Sequence, residues 1–429
     1  MTVSSTIISA APLPATIETR GSWIVCLTAL GIAAVSFAAP AITVVGLKSI
    51  AADLGGERSV PALAYSLAWL GSSFGGIPMG RAAERFGIRF TVIFGSAMIA
   101  VGLIVAQSGG RYSLLLGYGL FIGLLGNSGI NAPLYIYVSR WFDRRRGTAL
   151  ALIGSGSSVS AAIWAPIFAV AEAHIGWRHT MLGFAALEIV LILPVAALVF
   201  RPAPESAAAF GDRHGPRPGA AVLGLKPAVV LGGLCTAGFL CCVPMAMPQG
   251  HLVAFCSDVG IPTSQGAAML SVLLGCAFVS RQFWGWLADR IGGLQTILAG
   301  SACQITAMIG FLLTQDEAGL FAVAAWFGIG FSGIIPAYVM AVRELFPASE
   351  ASWRVPSVLL FSGTGMAFGS WLAGEIYDTM GFYAAAFAVG ILFNFAHLMV
   401  VGTLVWRQQR SAGAPLRPRK SAMGTNSAS

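Results

Sequence analysis

Charged residues are scarce in this chain. Asp, Glu, Lys and Arg make up 10% of its 429 residues, whereas soluble domains carry roughly 25%. So little charge cannot cover a surface that faces water, which argues against a soluble globular protein. Hydrophobic residues make up 56% of the chain, and the mean hydropathy is +0.79. These values predict an integral membrane protein.

Metal-ligand spacing is absent among the seven cysteines, which are odd in number and lie almost wholly in apolar runs. We interpret them as packing residues and predict neither a metal site nor a disulfide framework. Acidic residues are also outnumbered by basic ones, 17 to 25, giving a net charge of +8. The basic residues are scattered between apolar segments, so no nucleic-acid partner is predicted.

Long stretches without Asp, Glu, Lys or Arg recur along the chain. A bilayer core needs about 20 apolar residues per helix. Eleven stretches meet that length, and a twelfth from about 180 to 200 is interrupted only by Glu188. The stretches are 21–47, 59–80, 90–110, 112–139, 147–171, 227–257, 259–280, 291–315, 318–342, 355–374 and 379–406. Because backbone groups in lipid must be satisfied within the segment, we predict an all-α membrane protein with twelve transmembrane helices and the lipid bilayer as its surroundings.

Lys and Arg predict the orientation of these spans. With the N-terminus inside, twenty of them lie on the cytoplasmic side and four on the outer side, namely Lys48, Arg58, Arg111 and Arg178. The positive-inside rule therefore places both termini in the cytoplasm, and we expect the protein in the inner membrane. The predicted segments are a cytoplasmic N-terminal tail (1–20), a six-helix half (21–200), a flexible cytoplasmic linker (201–226), a second six-helix half (227–407) and a disordered cytoplasmic tail (408–429).

An internal repeat supports two similar halves. The pattern Gly80-x-x-Ala83-Glu84-Arg85-x-Gly87 recurs 205 residues later as Gly285-x-x-Ala288-Asp289-Arg290-x-Gly292. Trp141-Phe142 and Leu345-Phe346 keep nearly the same offset, as do Gly176 and Gly381. A nearly constant offset over three loops predicts a pseudo-symmetric pair of six-helix bundles.

The repeated loops also predict a charge-assisted latch between helix ends. An acid near helix ends and adjacent Arg side chains can form charge-assisted contacts that join two helices. The alternative is that these are solvated loop charges. The candidate latch residues are Gly80, Glu84, Arg85, Gly87, Arg89, Arg144, Arg145, Arg146, Gly147, Gly285, Asp289, Arg290 and Gly292.

These loops resemble the signature of the major facilitator superfamily, although Glu84 stands where Asp is more usual in the first copy. The segment from Trp141 to Ala149, Gly176-Trp177-Arg178, and His251-Leu252 followed by Asp258-x-Gly260 resemble the bacterial monocarboxylate-porter and oxalate/formate-antiporter group. The resemblance implies the major facilitator fold and secondary transport by alternating access. Drug efflux is less expected because 112–139 holds no charge.

Arg281 is the leading candidate for binding substrate. It lies eight residues before Asp289, hence about 12 Å deeper in the eighth span, where an unpaired charge is costly. Its planar fork matches a carboxylate. Relatives in the group that the chain resembles place an Arg there for that purpose. The alternatives are snorkelling to the inner interface or pairing with an acid.

Other polar and aromatic residues within the spans are candidates with two readings each. His251 either contacts substrate or packs at an interface, and Glu188 is either a proton carrier or a structural acid. Asn127 and Asn131 share a helix face and either bind solute or join helices. The aromatic candidates Tyr65, Trp69 and Tyr338 either line a cavity or pack.

We therefore predict a secondary active transporter for a small organic anion of mono- or dicarboxylate type. The alternative is a carrier of a neutral or aromatic metabolite, with Arg281 structural. Ala277 replaces an Asp that some relatives use for proton coupling, and the eleventh span has no Lys, so a proton or a counter-anion remains an open choice. No clustered catalytic set, metal or cofactor is predicted, and a monomer is expected to function. Two glycine patterns, Gly328-x-Gly330-x-x-Gly333 and Gly71-x-Ser73-x-Gly75, are interpreted as helix contacts.

Overall fold

A computed structural model describes residues 18–142, 145–200 and 221–413 of the chain. Within them, ten helices are long and apolar enough to cross a membrane. One of these, Thr148–Val199, has 52 residues and breaks at Gly176, where φ is 76°, so it comprises two spans. The helix Ser59–Phe86 has 28 residues, about 42 Å in length, which is also enough to cross. The described residues therefore form twelve spans, as predicted.

The spans are numbered 1 to 12 in chain order. They comprise Arg20–Ser36 with Ala39–Val45; Ser59–Phe86; Ile88–Ser108; Arg111–Leu116 with Gly117–Asn127 and Ser128–Ser139; Arg146–Gly154 with 156–175; 177–199; Pro227–Asp258; Thr263–Ile291; Gly293–Leu313; Glu317–Phe331 with Ile334–Leu345; Ala348–Met380; and Tyr383–Gly413. A short helix, Leu47–Asp53, lies between spans 1 and 2.

We name the two ends of the bundle by their position relative to the chain termini. Because the number of spans is even, the start of span 1 and the end of span 12 lie on one side, which we call the terminal end. The opposite side, the distal end, holds Leu47–Asp53 and the links before spans 2, 8 and 12.

The repeat is visible in the backbone. Gly87 and Gly292, 205 residues apart, have nearly identical angles (φ 84°, ψ 159° and φ 86°, ψ 163°). Each amide donates to the carbonyl four residues earlier, at 2.9 Å in both cases. Positive φ favours glycine because it lacks a Cβ. The duplicated loops therefore form the same sharp connection between spans, which confirms two pseudo-symmetric six-helix halves.

Spans 4 and 10 are both irregular at equivalent positions. The middle of span 4, Gly117–Asn127, is a π-helix, and span 10 is interrupted between Phe331 and Ile334. The end of the π-helix at Asn127 and the interruption at Ser332 are 205 residues apart. Such irregularities free backbone groups within a span and are frequent at functional sites.

The halves meet along span 2 against span 11 and span 5 against span 8, with a smaller contact between spans 1 and 7. Large apolar side chains remain exposed on the outside of the bundle, among them Leu198, Leu313 and Leu392. This distribution suits a protein whose outer surface contacts lipid rather than water.

Most spans extend beyond the charge-free stretches; span 2, for instance, continues to Phe86 and span 8 to Ile291. Spans 5 and 6 were expected at 147–171 and about 180–200, but one residue, Gly176, separates them, because helices continue through charges that lie at the membrane interface. The last helix continues to Gly413, past the predicted boundary at 407. Most of the predicted linker (201–220), residues 1–17 of the N-terminal tail and the end of the tail (414–429) lie outside the described residues.

Close backbone approach explains the glycine patterns. A Cβ on Gly328 would run into the Leu273 carbonyl of span 8, and one on Gly75 would run into the Leu124 carbonyl of span 4. These glycines therefore let neighbouring spans pack closely.

Candidate functional site

Arg281 lies ten residues before the end of span 8, about 15 Å from that end along the helix. Its guanidinium is half-buried, and Nη1 donates to the Gly154 carbonyl of span 5 at 2.5 Å. The buried Nε has no partner among the described residues, and the ion pairs described there do not include Arg281. Its charge therefore faces a neutral carbonyl, which leaves it electrostatically uncompensated.

Tyr135 of span 4 approaches the same point. A Cβ placed on Gly154 would lie 2.5 Å from the Tyr135 hydroxyl and 3.6 Å from Nη1 of Arg281. Spans 4, 5 and 8 therefore bring a hydroxyl, a carbonyl and a guanidinium together where the two halves meet. Neither Tyr135 nor Gly154 was a candidate from sequence, since nothing local marks a contact between residues so far apart.

The two asparagines of span 4 lie nearer the distal end than Tyr135 does. Asn127 is buried and its side-chain oxygen has no partner among the described residues, while Asn131 is half-buried. An unpartnered buried oxygen is uncommon in proteins, so Asn127 has a free acceptor available for another group.

Tyr65 and Trp69 lie nearer the distal end, on span 2. Their rings form an edge-on pair with centroids 6.4 Å apart. The Tyr65 ring lies 4.0 Å from a Cβ built on Gly250 of span 7, so it sits between the halves.

His251 and Tyr338 are fully buried in polar networks of the second half. Nδ1 of His251 lies 3.0 Å from the Tyr383 hydroxyl, and Nε2 lies 2.8 Å from the Ser370 carbonyl. The Tyr338 hydroxyl lies 2.8 Å from Nε2 of His397, whose Nδ1 lies 2.6 Å from the Ser301 hydroxyl. Their polar atoms are already engaged, and this geometry supports the packing alternative for both candidates.

Comparison with known proteins identifies the family. The model of the Major Facilitator Superfamily matches residues 21–358. The chain belongs to this superfamily. Monocarboxylate transporter 13 of Bos taurus is 29% identical over 343 residues, covering 77% of this chain and 76% of the relative. The MFS-type transporter YcxA of Bacillus subtilis is 21% identical, with 79% and 84% covered.

Solved structures show the same fold. A bacterial homologue of the human lysosomal transporter Spinster aligns with a TM-score of 0.66 at 15% identity, covering 92% of this chain and 97% of the other. The peptide transporter POT aligns with a TM-score of 0.68 at 14% identity, covering 90% and 95%. The predictions of the major facilitator fold, and of a membrane transporter of a small molecule instead of an enzyme, are confirmed.

The signature loops of this superfamily member lie at the terminal end. Arg85 stacks on Phe86 at 5.3 Å, and Arg290 stacks on Trp286 at 4.0 Å. Arg89 donates to the Phe200 carbonyl at 2.6 Å. Asp289 is exposed, and the ion pairs among the described residues do not include it.

The remaining latch candidates are only partly described. The side chains of Glu84 and Arg146, the surroundings of Gly147 and the whole of Arg144 lie outside the described set. The Arg145 amide donates to Glu18 at 2.5 Å. A Cβ on Gly80 would be in ordinary contact with Ile136, and one on Gly285 would meet nothing within 4 Å. Glu344, which was not a candidate, accepts the Gly293 amide at 3.0 and 3.2 Å and so fixes the start of span 9 to span 10.

Glu188 is fully buried inside the first half. Ser36 of span 1 donates to its Oε1 at 2.6 Å. Its contact with a neighbouring helix of the same half is the arrangement expected of a structural acid.

Proposed function

We propose that this superfamily member is a secondary active carrier for a small organic anion of the mono- or dicarboxylate type. The observation that carries the proposal is Arg281, a half-buried cation in span 8 whose described partner is the neutral Gly154 carbonyl. A substrate carboxylate would compensate that charge with a forked, charge-assisted contact. The name of the monocarboxylate transporter relative supports the same substrate class.

The proposed site extends from Arg281 to polar side chains of span 4. Tyr135 supplies a hydroxyl beside the guanidinium, and Asn127 supplies an unpartnered buried oxygen. Tyr65, Trp69 and Asn131 are proposed to line the path between the halves. His251 and Tyr338 are proposed to stabilise the second-half wall of this path through their buried hydrogen bonds. Alternating access by rocking of the two halves would expose this site to each side in turn.

The latch, the orientation and the coupling are also proposals. Repeated loop charges, including Asp289 and Arg290, are proposed to join helix ends in the conformation opposite to the one described. The excess of Lys and Arg at the terminal end supports cytoplasmic termini in an inner membrane. Coupling to a proton, with Glu188 as candidate carrier, or exchange for a counter-anion would supply the driving force to a functional monomer.

Uptake of labelled lactate and propionate into proteoliposomes tests the substrate class. We expect Arg281→Gln to reduce uptake at least about tenfold, since losing one charge-assisted contact costs on the order of 1.5–3 kcal/mol. Arg281→Lys should restore part of it because the charge remains without the fork. Arg111→Gln removes an exposed Arg stacked on Tyr112 and is the matched control.

A carrier of a neutral or aromatic metabolite is the second candidate. The bond from Arg281 to the Gly154 carbonyl favours it, because it gives the guanidinium a structural role between the halves. Competition by acids and their matched amides separates the two proposals. Equal inhibition by lactate and lactamide, with uptake undiminished in Arg281→Gln, would contradict the anion proposal.

A further inference from the structure

A compact polar cluster joins the two halves at the distal end. Arg58, just before span 2, donates from both terminal nitrogens to Asp258 at the end of span 7, at 2.5 and 2.8 Å. Its Nη1 also lies 3.1 Å from the Tyr383 hydroxyl of span 12. A forked contact with a carboxylate is both strong and directional, so Arg58 holds the first half against two helices of the second.

Arg58 is buried, so its contact with Asp258 differs from an ion pair on the exposed surface. Arg58 is 8% exposed, and its guanidinium lies 3.7 Å from the centroid of the Tyr377 ring. Lys48 also reaches Asp258, at 2.9 Å, but its side chain is 42% exposed. Removing one partner of a buried charge pair leaves the other charge unpaired. We therefore expect Arg58 to contribute more than Lys48 to the contact between the two halves.

Asp378 of span 11 adds a second link between the halves. Its two carboxylate oxygens accept the backbone amides of Arg58 and Ser59, both at 2.8 Å. These amides open span 2, whose start has no side-chain cap of its own. A carboxylate at a helix start satisfies free amides and is favoured by the helix dipole. Span 2 is therefore capped by a residue of the opposite half.

The repeat shows that this arrangement is specific to the interface. Asp53 lies 205 residues before Asp258, yet it accepts from Trp177 at 2.9 Å and lies 3.9 Å from Arg178, both in its own half. Asp258 instead pairs with Lys48 and Arg58 of the other half. In the described part of the chain, the ion pairs between the halves lie at this distal end.

We propose that Arg58, Asp258 and Asp378 form a gate that closes the distal mouth and must release for the transporter to open there. On the second-half side of the gate, His251 holds the Tyr383 hydroxyl in place, because its Nδ1 lies 3.0 Å from that hydroxyl. The gate acts on the closed conformation whatever the substrate is, and therefore stands apart from the anion proposal.

A cysteine placed just inside the gate reports whether the mouth is open. Ala62 lies one turn into span 2, is 2% exposed, and its Cβ is 3.2 Å from a Cβ built on Gly374 of span 11. We would apply a membrane-impermeant maleimide to Ala62→Cys in right-side-out and inside-out vesicles. Mass spectrometry of the peptide carrying residue 62 separates this label from the native cysteines.

Gate variants in this background should shift the population towards the distal-open state. We expect labelling at residue 62 to rise at least about tenfold in Arg58→Gln, Asp258→Asn and Asp378→Asn, as an order-of-magnitude population shift would give. Arg58→Lys should give an intermediate rise, because the charge remains without the fork. Asp53→Asn is the matched control and should label at the parent rate.

Several outcomes would overturn the gate. Rapid labelling of the Ala62→Cys parent would show a mouth that is already open. An unchanged rate in gate variants that remain monodisperse would show that the contacts do not hold it shut, and an equal rise in Asp53→Asn would indicate general loosening. Tyr383→Phe, which removes one hydroxyl, gives a milder variant if the charge variants fail to fold. A rise from the inside-out vesicles alone would keep the gate and reverse the proposed orientation.

Discussion

Arg281 shows how far a single residue can be understood from sequence. Its depth in span 8 follows from spacing. Its actual neighbours do not, because Gly154 and Tyr135 lie 127 and 146 residues earlier in the chain and meet it through the packing of spans 4, 5 and 8. Local sequence identifies the charge, whereas tertiary structure determines which groups surround it.

Tyr135 provides a residue-scale prediction for the proposed site. Tyr135→Phe keeps the ring and removes the hydroxyl beside Arg281, so a carboxylate would lose one hydrogen bond. We expect KM for the transported acid to rise about threefold to tenfold with little change in expression, since a hydrogen bond contributes about 1 kcal/mol. Initial uptake rates over a range of concentrations measure this. Tyr112→Phe, at an exposed position, is the control, and an unchanged KM in Tyr135→Phe would remove Tyr135 from the site.

Glu188 provides a second residue-scale prediction. Its Oε1 accepts from Ser36 inside the first half, and Gln retains an oxygen for that bond while losing the titratable proton. If Glu188 has a structural role, we expect Glu188→Gln to keep the parent's pH profile of uptake. Glu188→Leu should be less stable because Ser36 loses its acceptor. Uptake measured from pH 5 to 8 decides between the readings. A flattened profile in the Gln variant alone would instead support proton coupling through Glu188.

At the scale of elements, the number and order of helices could be predicted because a bilayer requires long uncharged segments. The irregularities could not. The π-helix of span 4 and the interruption of span 10 lie within apolar stretches that carry no local signal for them. Their 205-residue relation becomes apparent only once Asn127 and Ser332 are seen at corresponding points of the two halves.

Close contact between spans 8 and 10 gives a prediction for these elements. Gly328→Ala would force a methyl group into the Leu273 carbonyl, so the spans must move apart. Overpacking of this kind costs about 1–3 kcal/mol, and we expect a lower Tm in detergent. Gly275→Ala, in span 8, adds a Cβ that would meet nothing within 4 Å and should not lower Tm. Equal Tm values for the two variants would show that the approach at Gly328 is not tightly packed.

At the scale of the whole molecule, the duplication supplies two similar halves that differ in their contacts. Gly87 and Gly292 repeat the same turn, but Arg281 has Gly76 at its equivalent position 205 residues earlier. Asp53 and Asp258 likewise occupy equivalent positions, but Asp53 contacts its own half whereas Asp258 contacts the opposite half. Repetition therefore predicts the frame, and the positions where it fails mark both the proposed substrate site and the proposed gate.

Orientation in the membrane is the remaining whole-molecule prediction, and it follows from the twenty-to-four distribution of Lys and Arg. Tyr112→Cys lies exposed at the distal end, and Gln409→Cys lies exposed near the end of span 12. In right-side-out vesicles, we expect an impermeant maleimide to label the first and not the second. Inside-out vesicles should give the reverse. Labelling of Gln409→Cys in right-side-out vesicles would mean that the basic loops face outward, contrary to the positive-inside rule.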